Sequence, residues 1–253
     1  MDLLLGTLLL RPYVFLFLAA YLAAAVRDLG GRRTLLFTAW VWPLAWLAEF
    51  ASTRIGVPFG LYHYTESTRG RELYIANVPF MDSLSFTFLA YAAFCLARAV
   101  RQRSPPATAL LAGLLMMALD VVIDPLAVRG DRWFLGRIFY YPEGGVYFGV
   151  PLSNFAGWLV VGSLGVGGYL ALAGGAPLGA GRPGPGVALY YVVLGFNLAV
   201  TAWIGEWRLL TAGLALHAAV VLALYGWHHA SSAGFAGALK GREDSEGASR
   251  PLR

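Results

Sequence analysis

The chain has 253 residues, of which 58% are hydrophobic and 13% charged, whereas about a quarter of the residues in a water-soluble domain are charged. This composition excludes an ordinary soluble fold. The formal net charge of +5 does not indicate nucleic-acid binding, because the basic residues lie in short loops between apolar stretches. Cys95 is the only cysteine, which excludes a disulfide framework and a cysteine metal site.

Seven apolar stretches are long enough to cross a bilayer, which takes about 20 helical residues. The first lacks a basic leading region and a small-residue cleavage site, so we expect a retained helix and not a signal peptide. The sequence therefore predicts an all-α fold, a polytopic membrane helix bundle. In chain order the predicted transmembrane helices are 3–26, 34–50, 78–100, 107–128, 146–173, 187–205 and 209–228.

Two segments differ from the apolar stretches in composition. Residues 174–186 are rich in Gly and Pro, which is typical of a flexible connection. Residues 231–253 are small, polar and charged, which is typical of disorder. We expect one transmembrane catalytic domain over 1–230 and a disordered polar tail over 231–253.

The arginines between the helices predict the orientation of the bundle, because cytoplasmic loops carry an excess of basic residues. Successive helices cross the membrane in opposite directions, so alternate loops share a side. The opposite side is predicted to hold the loops 51–77 and 129–145 and the turn at Glu206. We expect an integral protein of a bacterial cell (inner) membrane, with its pocket on that opposite side. The cytoplasmic side is predicted to hold Arg27, Arg32, Arg33, Arg98, Arg101, Arg103 and Arg182.

Ionisable groups inside membrane helices cost on the order of 2.5 to 3.5 kcal/mol each, so they are candidates for function. Asp120 and Asp124 are four residues apart, which places both carboxylates on one helix face. Glu49 ends the second predicted helix, and Asp82 and Asn154 lie in the first turns of the third and fifth. We expect these five groups to converge, with the four carboxylates catalytic and Asn154 binding substrate.

Like charges in a dry pocket do not readily ionise together, so we expect one carboxyl to act as a general acid. The alternative is that these carboxylates only link helices through hydrogen bonds or salt bridges. The partners in that case would be Arg129, Arg132 or Arg137.

Two loops on the carboxylate side are rich in aromatic residues interleaved with Gly and Pro. An interfacial belt of Trp and Tyr is one explanation. The other is an active-site wall, because ring faces stabilise a nearby cation, and an acid beside them suits protonation of an alkene to a carbocation. The predicted substrate-binding rings are Tyr62, Tyr64, Trp133, Tyr147, Phe148 and Trp158.

Several membrane chemistries lack their characteristic residues. A retinal Schiff base needs a membrane lysine, and the only lysine, Lys240, lies in the predicted tail. Membrane iron desaturases need many histidines, whereas this chain has four, and His217 alone in an apolar helix fits a packing role. No nucleophile elbow or phosphate-binding glycine loop is present in the sequence. We predict no metal site and no cofactor.

Four sequence features occur together: Glu49 followed by GVPFGLYHY at 56–64, NVP at 77–79, DVVIDP at 120–125, and YFGVPLSNFAGW at 147–158. Together they resemble the CruF-type carotenoid hydratases, a family of membrane proteins of carotenoid biosynthesis. The resemblance covers approximately residues 35–159. The chain departs from the family at Asp82 and Ser85, where an apolar residue and a tryptophan are usual.

The resemblance implies a carotenoid 1′,2′-hydratase, a hydro-lyase that adds water across the terminal double bond of an acyclic ψ end group, as in γ-carotene or lycopene. Protonation of that alkene gives a tertiary cation that water captures, without a metal or redox cofactor. We expect Asp124 or Asp120 to be the acid and the partner carboxylate or Glu49 to position water. The expected partners are a carotenoid substrate, water and membrane lipid, with no nucleic acid; the sequence does not predict an oligomeric state.

Two other functions fit part of the pattern. A UbiA-like membrane prenyltransferase holds magnesium and a diphosphate through aspartate-rich motifs, and the pair at Asp120 and Asp124 has that form. Such enzymes carry two of these motifs, whereas this chain has one pair. A non-catalytic protein that binds or transports carotenoid or lipid would also place carboxylates and aromatic rings along an internal channel.

Overall fold

The computed structural model describes residues 2–100, 104–174 and 181–248, with side chains described as far as Trp227. These residues form eight α-helices, and seven of them are long and apolar enough to cross a membrane. The predicted all-α membrane bundle is confirmed. The helices are α1 (Leu3–Leu10), α2 (Pro12–Leu29), α3 (Gly31–Ile55), α4 (Phe80–Ala99), α5 (Pro105–Ala127), α6 (Leu152–Leu172), α7 (Gly184–Trp203) and α8 (Trp207–Ala248).

Arg11 separates α1 from α2, so the prediction of one continuous helix over 3–26 is wrong. Pro12 disfavours helical geometry at the residue before it, and Arg11 adopts φ −128° and ψ 45°. Pro12 itself takes the first turn of α2, where its missing N–H is tolerated. The 18 residues of α2 suffice to span the membrane, and the break leaves Arg11 buried inside the protein.

A glycine contact brings α5 close to α6. A side chain on Gly113 would meet the carbonyl oxygen of Leu159 at 2.6 Å, so only glycine allows this approach. Small residues at such contacts let membrane helices pack backbone to backbone. The close packing places Asp120 and Asp124 of α5 beside Asn154 of α6.

Short strands connect the loops at one end of the bundle. The strand β1 pairs with β4 in antiparallel fashion, with His63 opposite Tyr140, and thereby joins the loop after α3 to the loop after α5. Arg132 of the second loop donates to the Glu206 carboxylate. The three loops that the sequence assigns to one side are therefore in contact. The strands are β1 (His63–Tyr64), β2 (Tyr74–Ile75), β3 (Val78–Pro79) and β4 (Phe139–Tyr140).

The fifth apolar stretch is only partly helical. The helix α6 begins at Leu152 and not at 146 as predicted. In the residues before it, the backbone N–H groups of Tyr147 and Val150 donate to each other's carbonyls, which closes a tight turn. Pro151, which lacks an N–H, follows this turn and caps the helix.

The end of the chain was predicted to be disordered from 231 onward. In the structure the helical backbone of α8 continues to Ala248, and residues 249–253 lie outside the described part. The division into a catalytic domain and a disordered tail stays a prediction. Arg101, Arg103 and residues 175–180 of the Gly- and Pro-rich connection also lie outside the described residues.

Candidate active site

A cavity lies at the end of the bundle that the loops cover, and each helix from α2 to α7 contributes to its wall. Four of the five polar groups predicted to converge line it, and Asp120, the fifth, lies behind Asp124 with 0% of its surface exposed. A cation that the sequence did not assign to the site lines the same end. The polar lining includes Arg11, Glu49, Asp82, Asp124 and Asn154.

Asn154 links the two carboxylates of α5. Its amide Nδ2 donates to Asp120 Oδ2 at 2.7 Å and to Asp124 Oδ2 at 2.8 Å. The indole Nε1 of Trp158, one turn further along α6, donates to the same Asp124 oxygen at 3.3 Å. Because a primary amide has two N–H donors, one side chain serves both carboxyl groups. The donors that surround Asp124 are thus electrically neutral.

The arginines considered as alternative partners of this pair lie elsewhere. Arg129 donates to the carbonyl oxygen of Phe148 at 2.7 Å and pairs with Glu206 at 3.3 Å. Arg132 also pairs with Glu206, and Arg137 lies over the ring of Tyr140. Among the described residues, none of these three arginines forms a salt bridge to the carboxylates of α5.

Arg11 binds two carboxylates at once. Its Nε and Nη2 donate to Glu72 Oε2 and Oε1 at 2.8 and 2.9 Å, which is a bidentate pair. Its Nη1 lies 2.9 Å from Asp82 Oδ1. The helix break at Arg11 turns the side chain inward, and Glu72 comes from the loop between α3 and α4. The polar end of the cavity therefore holds a buried ion cluster beside the α5 pair.

Glu49 faces a group of tyrosines from the covering loops. Tyr64 hydrogen-bonds the Glu49 side chain, and Tyr62 packs edge-on against Tyr64 at 5.4 Å between ring centroids. Burial raises the pKa of both hydroxyls well above the ordinary value, and the nearby Glu49 carboxylate raises it further. Burial followed by the Asp124 carboxylate raises the pKa of Tyr141 in the same way. These phenols therefore act as neutral hydrogen-bond donors.

A layer of aromatic rings borders the α5 pair. Trp158 stacks on Phe86 at 4.3 Å between centroids, and Phe59 packs against both rings. Since Trp158 also donates to Asp124, the layer is in direct contact with a carboxylate. This is the position in which ring faces stabilise a cation formed next to the acid.

The cavity also has an apolar arm, formed by α2, α4 and α7. Tyr13 stacks on Phe196 at 5.1 Å, and Phe17 packs against Phe196 at 5.6 Å. The rings continue outward to Phe134 and Trp203, which are 54% and 68% exposed. A continuous series of ring contacts, the aromatic path, therefore runs from the cavity wall to the outer surface of the bundle.

Four of the six predicted substrate-binding rings line the cavity, and two do not. Tyr62, Tyr64, Trp133 and Trp158 line the cavity. Tyr147 and Phe148 are not among its lining residues, and their assignment to substrate binding stays a prediction. Phe148 has a positive φ of 49°, and the Tyr147 ring packs on Phe155 of α6. The tight turn before α6 directs both rings away from the cavity. Asn154 lines the cavity, but its amide is engaged by the two aspartates.

Two residues beside the cavity were missed from the sequence. Arg11 and Glu72 form the buried ion cluster, whereas Tyr141, which lines the cavity, lies in one of the aromatic loops that the sequence indicated. The one available signal was an Arg-Pro pair inside an otherwise apolar stretch, because such a pair interrupts a helix and a cation there needs a partner. Nothing in the sequence distinguishes Glu72 from its exposed neighbours.

The arrangement combines a carboxyl group bonded to neutral donors, a second carboxylate paired with an arginine, and an aromatic wall. Such a site can donate a proton to an apolar substrate and stabilise the resulting positive charge. Within the described part of the chain, no group of three or more His, Cys, Asp or Glu side chains is arranged to hold a metal ion.

The sequence was compared with known families and structures. A family model described as "Carotenoid biosynthesis protein" matches residues 8–222, which is most of the chain. The chain belongs to this family. The family assignment confirms the resemblance that the motifs indicated. No solved structure matches the chain.

A curated protein of similar sequence is the bisanhydrobacterioruberin hydratase of Haloarcula japonica. It is 30% identical over 163 residues, which are 62% of this chain and 53% of that protein. The chain thus spans about half the length of this relative. Its name describes addition of water to a carotenoid.

Proposed function

We propose that the protein is a carotenoid hydratase that adds water across the terminal 1′,2′ double bond of an acyclic ψ end group, as in γ-carotene or lycopene. The observation that carries the proposal is Asp124, which lines the cavity and is held by Asn154 and Trp158 beside stacked aromatic rings. Membership of a carotenoid biosynthesis family and similarity to a hydratase support the same chemistry.

In the proposed reaction Asp124 is the general acid. Its carboxyl proton adds to the less substituted alkene carbon, whose π electrons form the new C–H bond and leave a tertiary cation. Water attacks the cation, and the proton released from the water oxygen returns to the Asp124 carboxylate. The acid is regenerated, and the substrate gains one water. Asp120 does not line the cavity, so we assign it and Asn154 to holding Asp124 in place.

Glu49 is the candidate for orienting the attacking water. It lines the cavity, and its Oε2 has no hydrogen-bond partner among the described residues. Tyr64 holds the other side of this carboxylate group in place. The reaction requires no metal or redox cofactor in this proposal.

The apolar arm is the proposed site for the polyene chain. A carotenoid dissolved in the bilayer reaches the cavity along the aromatic path from Phe134 and Trp203 to Phe196. The end group then meets the carboxylates while the rest of the chain stays in apolar surroundings. We place the protein in a bacterial inner membrane, with the cavity on the side opposite the arginine-rich cytoplasmic loops.

Expression of the chain in a host that makes lycopene or γ-carotene tests the proposal. We expect chromatography and mass spectrometry to show a new pigment that is heavier by one water. We also expect isolated membranes to go on forming this pigment in the presence of EDTA. Loss of product in EDTA would favour the magnesium-dependent prenyltransferase alternative. Tight carotenoid binding without turnover would favour a binding or transport protein.

A further inference from the structure

Arg11 is the one cation that lines the cavity in the described part of the chain. Its side chain is 3% exposed, that of Glu72 is 0% exposed, and that of Asp82 is 18% exposed. Only Asp82 of the two carboxylate partners lines the cavity; Glu72 is enclosed. The cluster therefore has a closed end and an end that faces the substrate space.

The charges of this cluster are fixed by its composition. A guanidinium stays protonated in proteins. Burial acts to lower the pKa of Arg11, but the neighbouring Asp82 and Glu72 outweigh it and raise the pKa well above its ordinary value. Glu72 takes two of the Arg11 donors in a bidentate pair and balances one charge, which leaves Asp82 as the second anion at Nη1.

Asp82 and Asp124 thus lie in different surroundings at the same cavity. The neutral side chains Asn154 and Trp158 donate to Asp124, and the Asp120 side chain one turn away on α5 also interacts with it. The partner of Asp82 is a permanent cation. Neutral donors favour the ionised form of a carboxyl group less strongly than a paired arginine does, so the cation holds Asp82 as a carboxylate more firmly than the amide and indole hold Asp124.

We propose, on the basis of the hydratase function above, that Asp82 is a fixed anion that stabilises the carbocation, and that Arg11 is the positioning residue that holds it there. Asp124 donates the proton, and Asp82 stabilises the positive charge that forms. A carboxylate already in place where positive charge develops stabilises the transition state without reorganisation. Asp82 needs no proton transfer for this role.

A merely structural role for the cluster makes a different prediction. Arg11 joins the break before α2 to α4 and to the covering loop, so its loss also weakens the fold. A structural clamp would affect folding and stability but leave the kcat of correctly folded protein unchanged. The test therefore measures kcat and KM separately from thermal stability, on the full-length protein in membranes.

The variants are Asp82→Asn, Arg11→Gln, the double variant and, as a control, Asp28→Asn, which removes the carboxylate of the buried Asp28–Arg98 salt bridge outside the cavity lining. We expect Asp82→Asn and Arg11→Gln each to lower kcat about 100-fold with KM changed less than about threefold. The double variant should be no slower than Asp82→Asn, because Arg11 acts through Asp82. Asp28→Asn should lower the unfolding temperature while kcat stays within about fivefold of the unmodified protein.

Two outcomes overturn the inference: Asp82→Asn that keeps its kcat, or an Arg11→Gln effect that multiplies with that of Asp82→Asn. If Arg11→Gln does not fold, Arg11→Lys replaces it, since lysine keeps the charge near Asp82. We then expect Arg11→Lys to retain more activity than Asp82→Asn, and the reverse order contradicts the proposal. If the unmodified protein makes no hydrated pigment, the proposed function itself fails, which is a separate result.

Discussion

Within the residues that the structure describes, two buried arginine–carboxylate clusters are present, one at each end of the bundle. At the loop-covered end Arg11 binds Glu72 and Asp82, and at the other end Arg98 donates to Asp28 Oδ2 at 2.7 Å. Both arginine side chains are 3% exposed. Burial and pairing are therefore alike in the two clusters, although only the first borders the cavity.

The surroundings of the two clusters differ. Tyr91 donates to the same Asp28 oxygen at 3.1 Å, Cys95 lies 3.7 Å from it, and Gly181 packs against the Asp28 side chain. The Asp28 cluster ties α2 to α4 and to the start of α7. A buried ion pair is by itself weak evidence of function. The cavity beside Asp82 and Asp124 is what makes the first cluster a candidate for chemistry.

The largest expected difference between the two ends comes from removing one aspartate at each. Asp124→Asn should lower kcat by about 10² to 10⁴, because it removes the proposed general acid. Asp28→Asn should leave kcat unchanged and destabilise the fold by about 3 kcal/mol, because it removes the carboxylate of a buried salt bridge. Measurement of kcat and of the unfolding temperature for both variants tests this difference. Full activity in Asp124→Asn would show that the acid is misassigned.

The next effect concerns the amide that holds the proposed acid. Asn154→Ala removes the donors to Asp120 and Asp124, and we expect kcat to fall roughly 10- to 100-fold. Ser163→Ala on the same helix is the matched control, because Ser163 Oγ has no hydrogen-bond partner among the described residues. It should retain the activity of the unmodified protein. Equal losses in the two variants would mean that α6 is sensitive to any change.

A bulky residue in the apolar arm should affect binding more than chemistry. Val193 of α7 lines the cavity and is 2% exposed, whereas its neighbour Val192 is 58% exposed on the outer surface. Val193→Trp should raise KM about tenfold with kcat largely retained, because it fills space needed by the polyene. Val192→Trp should leave both constants unchanged. An unchanged KM in Val193→Trp would place the polyene elsewhere.

The smallest effects come from deleting one tyrosine hydroxyl at each end. Tyr91→Phe removes a hydrogen bond to Asp28 and should lower the free energy of unfolding by about 1 to 2 kcal/mol with no change in kcat. Tyr64→Phe releases Glu49 and should lower kcat about fivefold with little effect on stability. Comparison of kcat and unfolding temperature tests whether the two ends are functionally distinct. Equal changes in kcat and in unfolding temperature for the two variants would contradict a functional difference between the two ends.

The sequence alone determined the membrane fold and part of the site. A helix must be apolar over its full crossing length, so the spans could be recognised from composition. The spacing of Asp120 and Asp124 placed them on one face, and the alternation of the loops brought Glu49 and Asp82 to the same end of the bundle. These inferences depend only on helical geometry and on the order of the chain.

The tertiary structure decided which side chains the cavity receives. It turned Arg11 inward at a helix break, supplied Glu72 from a distant loop and directed Tyr147 and Phe148 away from the site. Loop conformation and the direction of a side chain that precedes a proline depend on contacts between segments far apart in the chain, which local patterns do not encode. Helical periodicity could therefore predict that the carboxylates lie together. The salt bridge to Arg11, which distinguishes Asp82 from Asp124, could be recognised only in the folded protein.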